Sequence, residues 1–195
     1  MSQAPLNLSG TTDHIVEFFG YCINSILYQR GVYPSEQFTQ VSKYGLALYV
    51  TSEARLKEYL SHVLGQLRNW LNGEQVRKLV LVICSVEPKE SLERWVFSID
   101  QSPSGSTAPT AAVLGQECAA LMRQIFASVS FLPLLEGACT FDLLIYTDIE
   151  TSVPGQWEES TPKYILHPSD VKLRSINAGA KTVGVDVQYK PRAGV

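Results

Sequence analysis

Leu79–Val86 reads L-V-L-V-I-C-S-V, an almost unbroken apolar run of strand length. With apolar side chains at nearly every position it has no face to give to water, so a strand here is covered on both sides and lies inside a sheet. Pro88-Lys89-Glu90-Ser91 follows as a turn. Leu92–Asp100 then alternates, with Trp95, Phe97 and Ile99 on one face. The two runs predict a hairpin whose first strand is central, and the rest of the chain has to cover it.

The first cover is helical. Residues 1–10 read as a loose tail, and Thr11 or Thr12 is placed to cap a helix with Asp13 in its first turn. Ile15, Phe18, Phe19, Cys22, Ile23, Ile26 and Leu27 then recur at helical spacing, and Arg30, Gly31 and Pro34 mark the stop. Residues 32–45 read as a connector with a Tyr33-Pro34-Ser35 turn, and Leu46, Leu48 and Val50 as a short strand. A second helix is expected from Thr51 or Ser52, with Leu56, Tyr59, Leu60, Val63, Leu64, Leu67 and Leu71 as its stripe, Trp70 beside it and Asn72-Gly73 as its end. Ser102–Pro109, S-P-S-G-S-T-A-P, reads as a flexible loop. A third helix is predicted from about Thr110 to Ser130, with Leu114, Cys118, Leu121, Met122, Ile125 and Val129 on one stripe and Pro133 beyond its end.

The remainder is β-rich. Ala138–Asp148, A-C-T-F-D-L-L-I-Y-T-D, puts Phe141, Leu143 and Ile145 on one face and Thr140, Asp142, Leu144 and Tyr146 on the other. Ser152–Ser160 holds Pro154, Gly155 and Trp157 and cannot be regular throughout. Val171–Ser175 and Val183–Tyr189 alternate around a turn at Asn177-Ala178-Gly179-Ala180, a second hairpin. Helices and strands do not alternate regularly, so the class is α+β: three helices packed on a mainly antiparallel sheet. At 195 residues, one domain is expected.

A net charge of −3 without a basic stripe argues against nucleic acid as a partner, and no apolar run approaches a membrane span. Cys22, Cys84, Cys118 and Cys139 form no C-x-x-C pair and read as reduced core thiols of an intracellular protein. His14, His62 and His167 stand in no metal or haem pattern, and the chain holds neither a phosphate-binding glycine loop nor a nucleophile elbow. No catalytic residue, metal or cofactor is therefore expected. Two features depart from plain core patterning. Asp142 is a carboxylate in an apolar strand, so its face is either partly exposed or covered only when a partner arrives. The third helix is nearly apolar all round after Glu117, carrying only Arg123 before Pro133, so it is either buried or an interface.

Several long blocks carry a family likeness. F-F-G-Y-C-I-N-S-I-L-Y-Q-R-G-V-Y-P-S-E-Q-F (Phe18–Phe38) resembles the first helix of HORMA-domain proteins, most closely their spindle-checkpoint branch. The likeness continues through L-E-R-W (Leu92–Trp95), R-Q-I-F-A-S-V-S-F-L-P-L-L-E (Arg123–Glu136), T-F-D-L-L-I-Y-T-D (Thr140–Asp148), V-P-G-Q-W-E-E-S (Val153–Ser160) and V-K-L-R-S (Val171–Ser175). It implies a single HORMA domain over 11–195, with residues 150–195 as a mobile C-terminal "safety belt". A partner's peptide would add as a strand along Thr140, Phe141, Asp142, Leu143, Leu144, Ile145, Tyr146 and Thr147, with Trp70 and Trp157 in or near the belt. Arg123, Gln124 and Phe131 match the surface on which an open and a closed copy associate.

The partners implied are the kinetochore coiled-coil protein (mitotic arrest deficient protein one), the mitotic co-activator of the anaphase-promoting complex, a second copy of the chain, and a HORMA remodelling ATPase with its adaptor. Nucleus, kinetochore and cytoplasm are the implied locations. The alternative within the family is an adaptor of another pathway, a translesion-polymerase accessory subunit or a meiotic-axis protein.

Overall fold

The computed structural model describes residues 8–102 and 106–192. Residues 1–7 of the expected tail and 103–105 of the expected loop lie outside them. The described elements are α1 (Leu8–Gln29), β1 (Phe38–Lys43), β2 (Leu46–Thr51), α2 (Ala54–Asn72), β3 (Val76–Ser85), β4 (Ser91–Gln101), α3 (Ala111–Ser128), β5 (Cys139–Thr147), β6 (Ser169–Lys172), β7 (Ile176–Asn177) and β8 (Lys181–Tyr189). The main sheet runs β5-β3-β4-β8-β6, and β7 also pairs with β8. Every pairing is antiparallel.

The apolar run becomes β3, flanked by β4 and β5, with Leu81 opposite both Trp95 and Leu143. Its alternate side chains feed two layers. Leu79, Leu81 and Ile83 face the helices and join the main core, and Val80, Val82 and Cys84 form a smaller cluster on the far face with Val96, Leu144 and Tyr146. α1 packs against both α2 and α3, and Phe19 meets Phe97 edge-on at 5.4 Å. Each such fully buried large apolar side chain contributes roughly 1.5–3 kcal/mol. Val183, Val185 and Val187 extend the helix-side core onto β8.

Three local expectations are corrected. α1 begins at Leu8, so Thr11 and Thr12 lie within it, 3% and 1% exposed; their side chains are drawn into packing rather than left at a helix end to cap it. The connector over 32–45 contains a strand, β1, paired along its length with β2. It presents only two apolar residues, Phe38 and Val41, and is joined to β2 through Tyr44-Gly45, both at positive φ (53° and 70°). That is the backbone of a tight hairpin turn, which glycine adopts freely and tyrosine does not. The cap of α2 is Glu53, whose carboxylate accepts from the N–H groups of Arg55 and Leu56, while Thr51 ends β2.

The C-terminal hairpin turns as expected at Gly179, where φ is +86° and a Cβ would lie 3.1 Å from Ala108 Cα. Any other residue there would strain its own backbone and press on the chain leading into α3.

One buried ion pair ties the layers together. Arg30, at the end of α1, donates from Nε to Glu93 Oε1 at 2.8 Å and from Nη2 to the Pro133 carbonyl beyond α3. Trp95 Nε1 donates to the other Glu93 oxygen at 3.2 Å. Both charged side chains are almost wholly buried. Removing one member leaves the other buried without its partner, which costs about 3–5 kcal/mol. Arg30→Leu is thus expected to lower stability by about that much in urea unfolding, and the Arg30→Leu/Glu93→Leu pair by less than the sum of the two single changes.

Candidate peptide-binding edge

β5 ends the sheet. One edge pairs with β3, and among the described residues no strand pairs with the other. A long edge strand offers an unsatisfied ladder of N–H and C=O groups, which proteins ordinarily cover or blunt.

Above the helix-side end of β5 lies a groove of about 600 Å³. Its apolar wall is aromatic: the Phe141 ring lies edge-on to Tyr33 at 6.1 Å and to Tyr59 at 5.9 Å. Glu53 and Asp142 supply carboxylates at its rim. The Arg55 and Leu56 N–H groups hold the Glu53 carboxyl below the usual carboxylate range, so it is charged at neutral pH. Burial, and then the Asp142 charge, push the Tyr59 hydroxyl up. Burial and then the Glu53 charge do the same at Tyr33. The groove therefore joins neutral aromatic surface to a charged rim that carries Glu53, Arg55 and the Lys163-paired Asp142.

What covers the edge is the segment that follows β5. Arg77 clamps Asp148 with two hydrogen bonds of 2.8 and 2.9 Å just beyond the strand. The Ser152 carbonyl accepts from Trp70 Nε1 at 3.3 Å. Trp157 then packs on the helix side, 5.1 Å from the Trp70 ring and 6.3 Å from His62. Six residues later the chain is on the opposite side of the sheet. Lys163 donates to Asp142, and the Tyr164 ring lies 4.8 Å from the Arg94 guanidinium. Asp142 and Arg94 both belong to the far face, so residues 158–162 pass around the outer edge of β5. From Tyr164 the strap crosses the far face to Ser169, where β6 begins on the opposite side of the sheet.

The sequence-predicted residues thus divide. Thr140–Thr147 form the edge strand. Phe141, Leu143 and Ile145 pack toward the helices, and Leu144 and Tyr146 toward the far-face cluster. Trp70 and Trp157 meet as the strap's helix-side anchor. Arg123, Gln124 and Phe131 lie elsewhere, on and just beyond α3, and all three are exposed. Gln124 is engaged within the chain, its Oε1 accepting from the Arg174 N–H at 2.8 Å, and Phe131 lies 6.3 Å from the Tyr189 ring. That surface is therefore completed by the C-terminal hairpin.

Sequence reasoning missed Lys163, Arg94, Tyr33 and Glu53. Asp142 stood out as a carboxylate in an apolar strand, its face read as partly exposed or as covered by a partner; the structure pairs it with Lys163. Glu93-Arg94, two adjacent charges in an alternating strand, signalled that both faces of β4 needed polar partners.

This chain has an α+β sheet with a bare edge, a strap around that edge and the terminal hairpin on the opposite side. It belongs to the HORMA domain family, whose pattern matches residues 12–182. Among its relatives, Mitotic spindle assembly checkpoint protein MAD2A of Dictyostelium discoideum is 49% identical over 193 residues, covering 97% of this chain and 95% of that protein. The Homo sapiens protein of the same name is 47% identical over 190 residues, covering 95% and 93%. A chain in the crystal structure of the Mitotic Checkpoint Complex superposes with a TM-score of 0.88 at 37% identity, covering 93% of this chain and 99% of that one.

The Asp142 carboxylate, by its hydrogen bond and its charge, raises the Lys163 pKa above the ordinary lysine value. A raised cation pKa contributes stability that is complete below about pH 10 and is lost as pH rises through the shifted value. Because the pair is partly exposed, Lys163→Met is expected to cost about 0.5–1 kcal/mol in thermal unfolding at neutral pH. The difference from wild type should fade in strongly alkaline buffer, as Lys163 loses its proton.

Proposed function

We propose that this chain is a spindle assembly checkpoint component that captures a partner's peptide as an added strand on β5 and encloses it with its own strap. The supporting observation is the course of residues 158–162 around an edge that no strand occupies among the described residues. A peptide paired there would lie between β5 and the strap, with side chains reaching the Phe141–Tyr33–Tyr59 groove. Thr140–Thr147 would supply the ladder, and Trp70 and Trp157 would hold the strap.

Strand addition alone is modest. About six backbone hydrogen bonds at ~1 kcal/mol each and two buried apolar side chains at about 1.5–3 kcal/mol each are offset in large part by ordering the peptide and losing its rigid-body freedom. Enclosure changes the kinetics instead: the peptide leaves only when strap contacts break, so affinity resides in a slow off-rate. The same strap makes entry slow.

Entry requires a second state. Val171–Tyr189 alternates, and an alternating hairpin buries the same face at whichever sheet edge it joins. On β4 it leaves β5 bare and forms the closed arrangement; on β5 it would occupy the peptide's place and form the open one. A peptide shifts the balance only through its differential affinity for the two. By this reading the peptides come from the kinetochore coiled-coil protein mitotic arrest deficient protein one and from the mitotic co-activator of the anaphase-promoting complex. Capture of the co-activator restrains that complex at kinetochores and in the nucleus and cytoplasm, and a HORMA remodelling ATPase with its adaptor would reset the switch. Arg123, Gln124 and Phe131 would join an open to a closed copy, and the role is regulatory rather than catalytic.

Ion-exchange chromatography with and without a co-activator peptide should resolve two slowly exchanging species, with the peptide converting one to the other. Deleting residues after Val185 should abolish capture while leaving a folded domain by circular dichroism; undiminished capture would refute enclosure. Arg123→Ala should give a monomer by sedimentation where the wild type self-associates.

A further inference from the structure

Arg94 is charged, long and only 4% exposed, in the middle of the far face. Its register partner on the docked hairpin is Gln188, and its Nη1 donates to Gln188 Oε1 at 2.5 Å. Nη2 points to the Tyr146 hydroxyl of β5 at 3.4 Å, a weak contact. Its outer face carries the Tyr164 ring of the strap at 4.8 Å, and Nε has no partner among the described residues. One guanidinium thus touches the hairpin, the edge strand and the strap.

The partners are unequal. Tyr146 is half-buried in the far-face cluster, whereas Tyr164 is 70% exposed and rests on the guanidinium. Gln188 provides the nearest acceptor, and it is in reach only while β8 lies on β4. A planar guanidinium stacks on an aromatic ring only when its own hydrogen bonds hold the plane in place. A buried guanidinium without an acceptor seeks another partner or water.

We propose that Arg94 is the positioning residue that couples docking of the C-terminal hairpin on β4 to closure of the strap over β5. This deepens the peptide-capture reading and rests on it. With the hairpin docked, Gln188 orients the guanidinium and the strap gains its platform. With the hairpin elsewhere, the platform turns away and the strap loses its Tyr164 contact, keeping the Lys163–Asp142 tether and the burial of Ile165. The two events lie on opposite edges of the sheet, and the link between them runs across β4 through a single side chain.

The test uses the full chain, first without peptide. The rate of tryptic cleavage after Lys163, followed by mass spectrometry, reports strap opening. Gln188→Leu removes the acceptor without touching the strap, and Arg94→Met and Arg94→Lys remove the fork. Each is expected to raise that rate about five-fold, the size of one cation–π contact, and Gln188→Leu should add nothing in an Arg94→Met background. Arg94→Lys keeps the charge and serves the same comparison if Arg94→Met does not fold. An unchanged rate in Gln188→Leu, or additive effects in the double variant, would overturn the coupling.

Dissociation of a synthetic co-activator peptide is measured in parallel. Faster release from Gln188→Leu supports the coupling. A wild type that holds no peptide while its cleavage remains coupled would overturn the capture reading and leave the latch. A peptide held as long by Gln188→Leu as by wild type, with cleavage uncoupled, would overturn the latch and leave capture.

Discussion

The Arg30–Glu93 pair sets the frame on which the rest of the molecule is hung. It joins the end of α1, the middle strand β4 and the chain beyond α3 through Pro133, and Trp95 completes the carboxylate's shell. Buried charge of this kind is tolerated only when nearly every lone pair and N–H is answered, so the three elements can meet in few ways. α1 is thereby held across the sheet, and β4 is held with Glu93 toward the helices. Its neighbour Arg94 must then point to the far face, because successive strand residues alternate.

That alternation makes the dipeptide Glu93-Arg94 the junction of two jobs. The glutamate serves the fold, under the helices. The arginine serves the strap, above the far-face cluster of Val80, Val82, Cys84 and Val96. A satellite cluster of four buried residues cannot hold a long connection by burial alone. The strap is instead pinned by discrete contacts: Trp157 on Trp70, Lys163 on Asp142 and Tyr164 on Arg94. Few contacts spread along a mostly exposed segment make its local opening low in free-energy cost.

The same economy explains the two edges. β5 and β4 are both neighbours of β3, and each needs something on its outer side. The C-terminal hairpin supplies the edge of β4. With β8 on β4, Val183, Val185 and Val187 complete the helix-side core, and the ladder of β5 is covered by the strap's passage rather than by pairing. An edge strand left in that condition presents an unpaired ladder to which a further strand can add, by the ordinary physics of sheets.

Much of this was legible in the residues. The apolar run of β3, the helical stripes of α1, α2 and α3, and the alternation of β4, β5 and β8 each follow from a period and a composition. The long blocks such as Thr140–Asp148 carried the family. β1 was not legible, because Phe38 and Val41 are too few to show a period and Tyr44-Gly45 is a weak turn signal; pairing with β2 is what orders it. The Asp142 carboxylate stood out as a misfit, yet its answer, Lys163, is twenty-one residues away in a segment with no period at all. By itself the sequence determined the helical stripes and the strongly alternating or apolar strands, because those follow from spacing along the chain. Only the tertiary structure decided which edge the hairpin takes, how the strap turns around β5 and which charges pair across it. An alternating strand buries the same face beside either neighbour, and a charge states its need for a partner without naming one.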